Sequence, residues 1–235
     1  MLAKYKPKIV AVTGSVGKTS TKDAIYTVLS RYYFIRKSSK SFNSEIGVPL
    51  TILGCANGWS SMGKWLRNIF EGLALIILPN KYPDWLVLEV GLDKPGDVGR
   101  VASWLAPDIV VVTRLSKIPV HVEFFPSVQA VYEEKGKLVK ALKPEGTLIL
   151  NADDEDVLEY KKLTTARSMM FSMSGHADLT ASEYGVLYEN GLTTSSSTNN
   201  ERPIGIRFRL DHKGQTMHVD IHRSLGYQHI EMCLA

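Results

Sequence analysis

With 235 residues, 44% of them hydrophobic, the chain can bury a sizeable core as one large domain or one and a half small ones. Lys and Arg outnumber Asp and Glu by 28 to 24, an excess too small and too scattered for a nucleic-acid surface, though it suits an anionic substrate. The two cysteines, Cys55 and Cys233, stand far apart without a CxxC, which argues against a disulfide framework or a zinc site and fits a reducing cytosol.

The opening MLAKYKPK lacks the apolar core of a signal peptide. Residues 8 to 13, KIVAVT, form a β-rich run ended by Gly14, and from Lys18 the apolar positions Ala24, Ile25, Val28, Leu29 and Tyr32 recur at helical spacing. The segment 59 to 85 mixes Trp, Arg and apolar residues and reads either as a helix packed on the sheet or as a helix on a membrane surface, with packing preferred. Its greasiest part, LALIIL at 73 to 78, is much too short to span a bilayer. WLVLEV at 85 to 90 precedes a helix-like DVGRVASWLA, IVVVT at 109 to 113 precedes a helical 127 to 142, and TLILN at 147 to 151 leads into DDEDVLEYKKL.

Strands apolar on both faces and separated by helices imply an α/β fold with a mostly parallel sheet covered on both sides, and ligands at the carboxyl ends of its strands. After about residue 166 the pattern changes to short alternating runs, with IGIRFRLD and QTMHVDIH around HKG at 212 to 214 reading as an antiparallel hairpin, and TTSSSTNN at 193 to 200 as a loop. The chain therefore divides into a core, 1 to 165, and a β-rich remainder, 166 to 235. Its last ten residues look like a helix barely begun, as if cut from a longer protein.

The stretch GSVGKTS at 14 to 20, between strand and helix, has the makings of a phosphate-binding loop. Gly14 and Gly17 remove side-chain bulk so that backbone N–H groups around Ser15, Val16, Lys18 and Ser20 can face an anion, and the helix directs its positive end the same way. Lys18 would reach the β and γ phosphates, and Thr19 would place a hydroxyl on Mg²⁺. The usual spacing puts glycine at position 12, where this chain has Val12, so the loop is a shortened variant. Glu89, at the end of a buried strand, is costly unless paired or bound to metal, and an oxygen ligand for Mg²⁺ is its natural use.

VTGSVGKTSTKD, FNSEIGVPLTIL at 42 to 53, LEVG at 88 to 91, HVEFF at 121 to 125, EKGKL at 134 to 138 and NADD at 151 to 154 stand in the order found in the Mur ligases, and this part of the chain resembles their central ATP-binding domain. The resemblance implies an ATP-dependent ligase of peptidoglycan precursors, in which a substrate carboxylate is activated as an acyl phosphate and attacked by an amine. A UDP-muramyl peptide and D-alanyl-D-alanine are the expected substrates, and a cytoplasmic monomer with no nucleic-acid partner and no membrane span is the expected setting. The family's amino-terminal UDP-binding and carboxyl-terminal ligase domains have no counterpart here, so the piece alone is expected to bind nucleotide weakly and to lack ligase activity.

The same resemblance makes Glu89 and His121 neighbours of a second Mg²⁺ and implies that Lys135 is carbamylated to help hold it. It places Asn43 near the γ-phosphate, and Asn151 and Asp153 near the nucleotide. Glu45 and Gly47 would only shape their loop. Arg114 replaces a usual Asn, Pro126 a usual Gly, and Gln228, His229 and Met232 replace the residues expected beside the adenine. The competing readings are a folate polyglutamate ligase or other amino-acid ligase on the same core, a P-loop kinase or nucleotide switch, and a non-catalytic scaffold. His218, Asp220 and His222 share one face of a strand, which reads as its wet side rather than a metal site, with Met217, Val219 and Ile221 facing the core.

Overall fold

The computed structural model describes residues 1–39, 44–175, 177–189, 191–192 and 202–235. In chain order the strands are β1 (Lys8–Thr13), β2 (Ile35–Lys37), β3 (Trp85–Glu89), β4 (Ile109–Val112), β5 (Thr147–Asn151), β6 (Arg167–Ser172), β7 (Leu179–Tyr188), β8 (Gly191–Leu192), β9 (Pro203–His212) and β10 (Gln215–His222). The helices are α1 (Leu2–Tyr5), α2 (Lys18–Leu29), α3 (Gly47–Leu53), α4 (Met62–Ile77), α5 (Asp97–Ala102), α6 (Val128–Lys140), α7 (Glu155–Leu158) and α8 (Gln228–Leu234). One sheet runs in the order β10-β9-β7-β6-β5-β4-β1-β3-β2, with β8 beside β7.

The central strands are buried on both faces, which is why their sequences read as unbroken apolar runs. Ile9, Ala11, Leu86, Leu88, Val110 and Leu148 point to one side, against Val98, Val101, Val131 and Leu138. Val10, Val12, Val87 and Val111 point to the other, where Ile25 and Leu29 of α2 cover them. Burying each such side chain is worth about 1.5–3 kcal/mol, so these two layers fix β1, β3, β4 and β5 side by side. All pairings from β2 through β7 along the sheet are parallel, and the strand tips that carry the proposed ligands therefore share one rim.

The change of pattern expected at residue 166 comes one strand later. β6 still runs parallel to β5, and only from β7 onward do β9 and β10 pair antiparallel. The hairpin forms as read, but Met217 is 58% exposed rather than in the core, because β10 is the edge strand and its turn end reaches past the second cluster, on which only Val219 and Ile221 lean. His218, Asp220 and His222 are exposed, and Asp220 is gripped by both arms of Arg207 at 2.5 and 2.6 Å. The tract 193 to 200 lies outside the described residues.

The helix read in segment 59 to 85 does not pack on the sheet as preferred. α4 meets the body through Asn68, whose amide donates to the Ala56 carbonyl at 2.8 Å, and through Gly72, while Phe70 and Ile77 are 66% and 74% exposed. Its last turn is fastened by Tyr5, which donates to the Leu75 carbonyl at 2.8 Å, and by Lys4, which donates to the carbonyls of Leu75, Ile76 and Leu78. The sheet face was already covered by α3 and α5, which left α4 outside.

Candidate active site

The loop after β1 has the backbone its glycines allow. Gly14 has φ +140° and Gly17 +86°, and a Cβ on Gly14 would lie 2.1 Å from Thr113 Oγ1. Ser15 N–H donates to the Arg114 carbonyl at 2.6 Å, and Thr113 Oγ1 donates to the Val16 carbonyl at 2.6 Å, so the end of β4 braces the loop from below. Gly17 caps α2, and the first helical bond runs from Thr21 N–H to the Gly17 carbonyl. Lys18, Thr19 and Ser20 therefore present first-turn N–H groups with no partner inside the helix.

Two lysines converge on one carbonyl. Lys18 Nζ and Lys135 Nζ each stand 3.0 Å from the Gly14 oxygen, and Lys18 also donates to Ser15. Lys135 lies on α6, which starts from Ser127, whose Oγ accepts from Ala130 N–H at 3.2 Å. One residue before it, Glu134 accepts from Gly99 N–H at 2.9 Å and ties α6 to α5. The EEKGK run is thus not a solvated charged face: Glu134 and Lys135 are each 4% exposed. Burial, and then the neighbouring Lys18 charge, push the Lys135 ammonium down to about 7. Burial also lowers Lys18, against the opposing pull of Glu89.

Glu89 is 2% exposed at the tip of β3 and accepts from Thr19 Oγ1 at 2.9 Å. Lys22, one turn along α2, brings its ammonium to 3.8 Å from the same carboxylate and donates to the Ser38 carbonyl at 3.0 Å. Ser38 Oγ accepts from Glu89 N–H at 3.1 Å, which closes a network linking α2, β3 and the segment after β2. Sequence reading passed over Lys22, although it stands three residues beyond Thr19, the spacing that puts two side chains on one helical face.

His121 sits at φ +69°, with Nε2 3.5 Å from the Asp93 carboxylate. With Ser15, Lys18, Gly91, Asp93 and Lys135 it lines a cleft of about 180 Å³. Asp93 was not singled out from sequence, and its place four residues past Glu89 in the strand-tip loop is the only signal. Glu89 is not among the residues lining this cleft, and among the described residues no three His, Cys, Asp or Glu side chains are grouped to hold a metal; His121 and Lys135 do share the cleft.

A second cleft of about 70 Å³ opens on the other side of the loop, lined by Val16, Gly17, Thr113, Asn151, Gln228 and Met232 among others. Asn151 is 1% exposed at the tip of β5, and its Oδ1 accepts from Asp153 N–H at 2.9 Å. The Asp153 carboxylate is turned away into the loop after β6, where it accepts from Ser172 Oγ at 2.5 Å, Met173 N–H at 2.6 Å and Ser174. Burial alone would raise its pKa, but those donors hold it below the ordinary carboxylate value. Arg114 pairs with Glu231 of α8, so the helix containing Gln228 and Met232 is tied across the loop. Glu45 pairs with Arg100 and Gly47 opens α3, whereas Asn43 lies outside the described residues.

The chain's own features fit a phosphate-bearing nucleotide with a divalent cation. Gly14 and Gly17 leave a cradle that side chains would fill, and the buried hydroxyls of Ser15 and Thr21 beside it have no hydrogen-bond partner among the described residues. Two cations face the cradle from one side, and the hydroxyl of Thr19 and the carboxylate of Glu89 offer hard oxygens from the other.

The family model described as the Mur ligase middle domain matches residues 12–63 and 71–212. The UDP-N-acetylmuramoyl-tripeptide--D-alanyl-D-alanine ligase of Mycobacterium tuberculosis is 30% identical over 173 residues, covering 74% of this chain and 29% of that protein. The ligase of the same name from Escherichia coli K12 is 29% identical over 181 residues, covering 76% and 34%. The crystal structure of MurF ligase from Thermotoga maritima in complex with ADP superposes with a TM-score of 0.73 at 21% identity, covering all of this chain and 45% of that one, and has the same fold. The chain spans about a third of the length of these curated relatives.

Proposed function

We propose, from the premise that this chain belongs to the Mur ligase middle-domain family, that it is the ATP-binding core of an amide-forming ligase of peptidoglycan precursor synthesis. The observation that carries the proposal is the convergence of Lys18 and Lys135 on the Gly14 carbonyl, at the mouth of a cleft also lined by His121 and Asp93. A bound Mg²⁺–ATP would supply the phosphoryl group that activates a substrate carboxylate for attack by an amine. The relatives' names point to a UDP-muramyl tripeptide as the carboxylate and D-alanyl-D-alanine as the amine.

The chain's residues divide this work by position. The loop N–H groups and Lys18 hold and neutralise the transferring phosphoryl group, which is where preorganised charge accelerates such a reaction. Thr19 and Glu89 would hold one cation, and Glu89, His121 and Lys135 a second. Lys135 can serve only after losing its proton, and its low proton affinity supports that role: the neutral amine adds CO₂ and releases a proton, turning a cation into a carboxylate-like ligand. Asn151 and α8, which line the second cleft, would border the nucleotide on the far side.

Titration calorimetry with Mg²⁺–ADP tests the reading. The chain should bind, and Lys18→Ala should weaken binding by about 2 kcal/mol, the loss of a charge-assisted contact. No heat from ADP or ATP, with the fold intact, would leave the scaffold reading in its place. The ligase step itself is tested in the longer protein, by release of ADP that depends on both a UDP-muramyl peptide and D-alanyl-D-alanine.

A further inference from the structure

We propose that α4 is an interfacial anchor that lays this protein on an anionic lipid surface, an inference that stands apart from the ligase reading. At about 100° per residue, Met62, Leu66, Ile69, Phe70, Leu73 and Ile77 fall within an arc of roughly 100°. All six are between 47% and 78% exposed. The helix touches the body through a different side, Asn68 and Gly72, and carries Arg67, Glu71 and Lys64 on the polar side between that contact and the apolar arc. A surface helix ordinarily turns its apolar stripe inward; α4 turns it out.

Three observations choose the occupant. The family match stops at residue 63 and resumes at 71, so Leu66, Ile69 and Phe70 of the arc lie outside the pattern shared by the relatives, while Met62, Leu73 and Ile77 lie within it. The polar side of the helix is basic: Arg67 stands next to the arc and Lys64 farther round, Lys4 is held on the carbonyls of the last turn, and the one carboxylate of α4, Glu71, lies 2.6 Å from Arg67. Indoles mark the N-terminal end, with Trp59 77% exposed and its carbonyl accepting from Trp65 Nε1 at 3.0 Å. Aromatic and cationic ends around an apolar middle are the composition of a helix lying in a headgroup layer. With 16 residues α4 is too short to cross a bilayer, so it lies in the plane.

The test is co-sedimentation of the 235-residue chain with vesicles of phosphatidylcholine alone or with about 30% phosphatidylglycerol. The wild type should pellet with the anionic vesicles. The double variant Ile69→Asp/Leu73→Asp should lose about tenfold or more in bound-to-free ratio with unchanged melting temperature. Lys64→Glu/Arg67→Glu should lose binding to anionic vesicles and leave any binding to neutral ones. All four side chains are exposed, so the fold is spared. A wild type that stays in the supernatant, or a double variant that binds as well as the wild type, would overturn the proposal. So would a dimer in solution that Ile69→Asp/Leu73→Asp splits into monomers, which would assign the face to a second copy. Mg²⁺–ADP binding by the same samples separates this outcome from the fate of the ligase reading.

Discussion

Replacing Lys135 with Met should stabilise the isolated chain near neutral pH. The fall in proton affinity from 10.5 to about 7 means that the folded protein carries a charge it disfavours, and at about 1.4 kcal/mol per pH unit the cost reaches about 5 kcal/mol. Methionine keeps most of the volume but loses the hydrogen bond to the Gly14 carbonyl, worth about 1–1.5 kcal/mol, and leaves that carbonyl to Lys18 alone. The net gain should be about 3.5–4 kcal/mol, or about 7–16 °C in melting temperature for a chain of this size. Below about pH 7 both folded and unfolded chains hold the proton and the whole gain is present. Between 7 and 10.5 the unfolded chain binds a proton that the folded one has released, so wild-type stability rises with pH and the advantage of Lys135→Met shrinks. Thermal unfolding at pH 6.5 and 9.5 reads this directly. Bicarbonate should raise the wild-type melting temperature and leave Lys135→Met unchanged, and ¹³C-bicarbonate should give a carbamate carbon signal in the wild type alone. A variant that is less stable than the wild type at both pH values would refute the reasoning about burial.

Gly14→Ala should abolish Mg²⁺–ADP binding and cost about 2–4 kcal/mol in denaturant unfolding, since its Cβ would meet Thr113 Oγ1 at 2.1 Å from a backbone at φ +140°. Glu89→Ala removes the acceptor of Thr19 and the counter-charge of Lys22 inside the core, and should cost about 3–5 kcal/mol in the same assay, well beyond the effect of a surface acid. Asp153→Asn should fall further short of the wild type at pH 7 than at pH 3: a carboxylate with lowered pKa stabilises the fold above its unfolded value and loses that contribution as pH falls through the folded one. Equal deficits at both pH values would show that the Asp153 charge is not what holds the loop after β6.

The parts of the fold legible in the sequence are those where one local rule had no competitor. KIVAVT followed by Gly14 and Lys18 specified strand, turn and helix, and β1 and β5 begin and end where their apolar runs do. The short β2 and the long β7 were not read, because β2 is three residues held by its neighbour and β7 is only half-buried along most of its length. Lys22 was hidden because a lysine within a helix looks solvated until β3 places Glu89 over it, a contact made across 67 residues of chain. Lys135 was hidden for the same reason, and only resemblance separated it from the charged run around it. The periodicity of α4 was plain, yet no periodicity states what will stand against an apolar stripe. That depends on which helices occupy the sheet face, and α3 and α5 do.

The bond between Thr19 and Glu89 has one more implication. Two oxygens rest 2.9 Å apart, and adjacent corners of an octahedron drawn at the 2.0–2.1 Å bond length of magnesium are also about 2.9 Å apart. An ion held by both oxygens, as proposed, would then meet rigidity already present: one with longer bonds would have to prise β3 away from the start of α2 against the grip of Lys22 and Ser38.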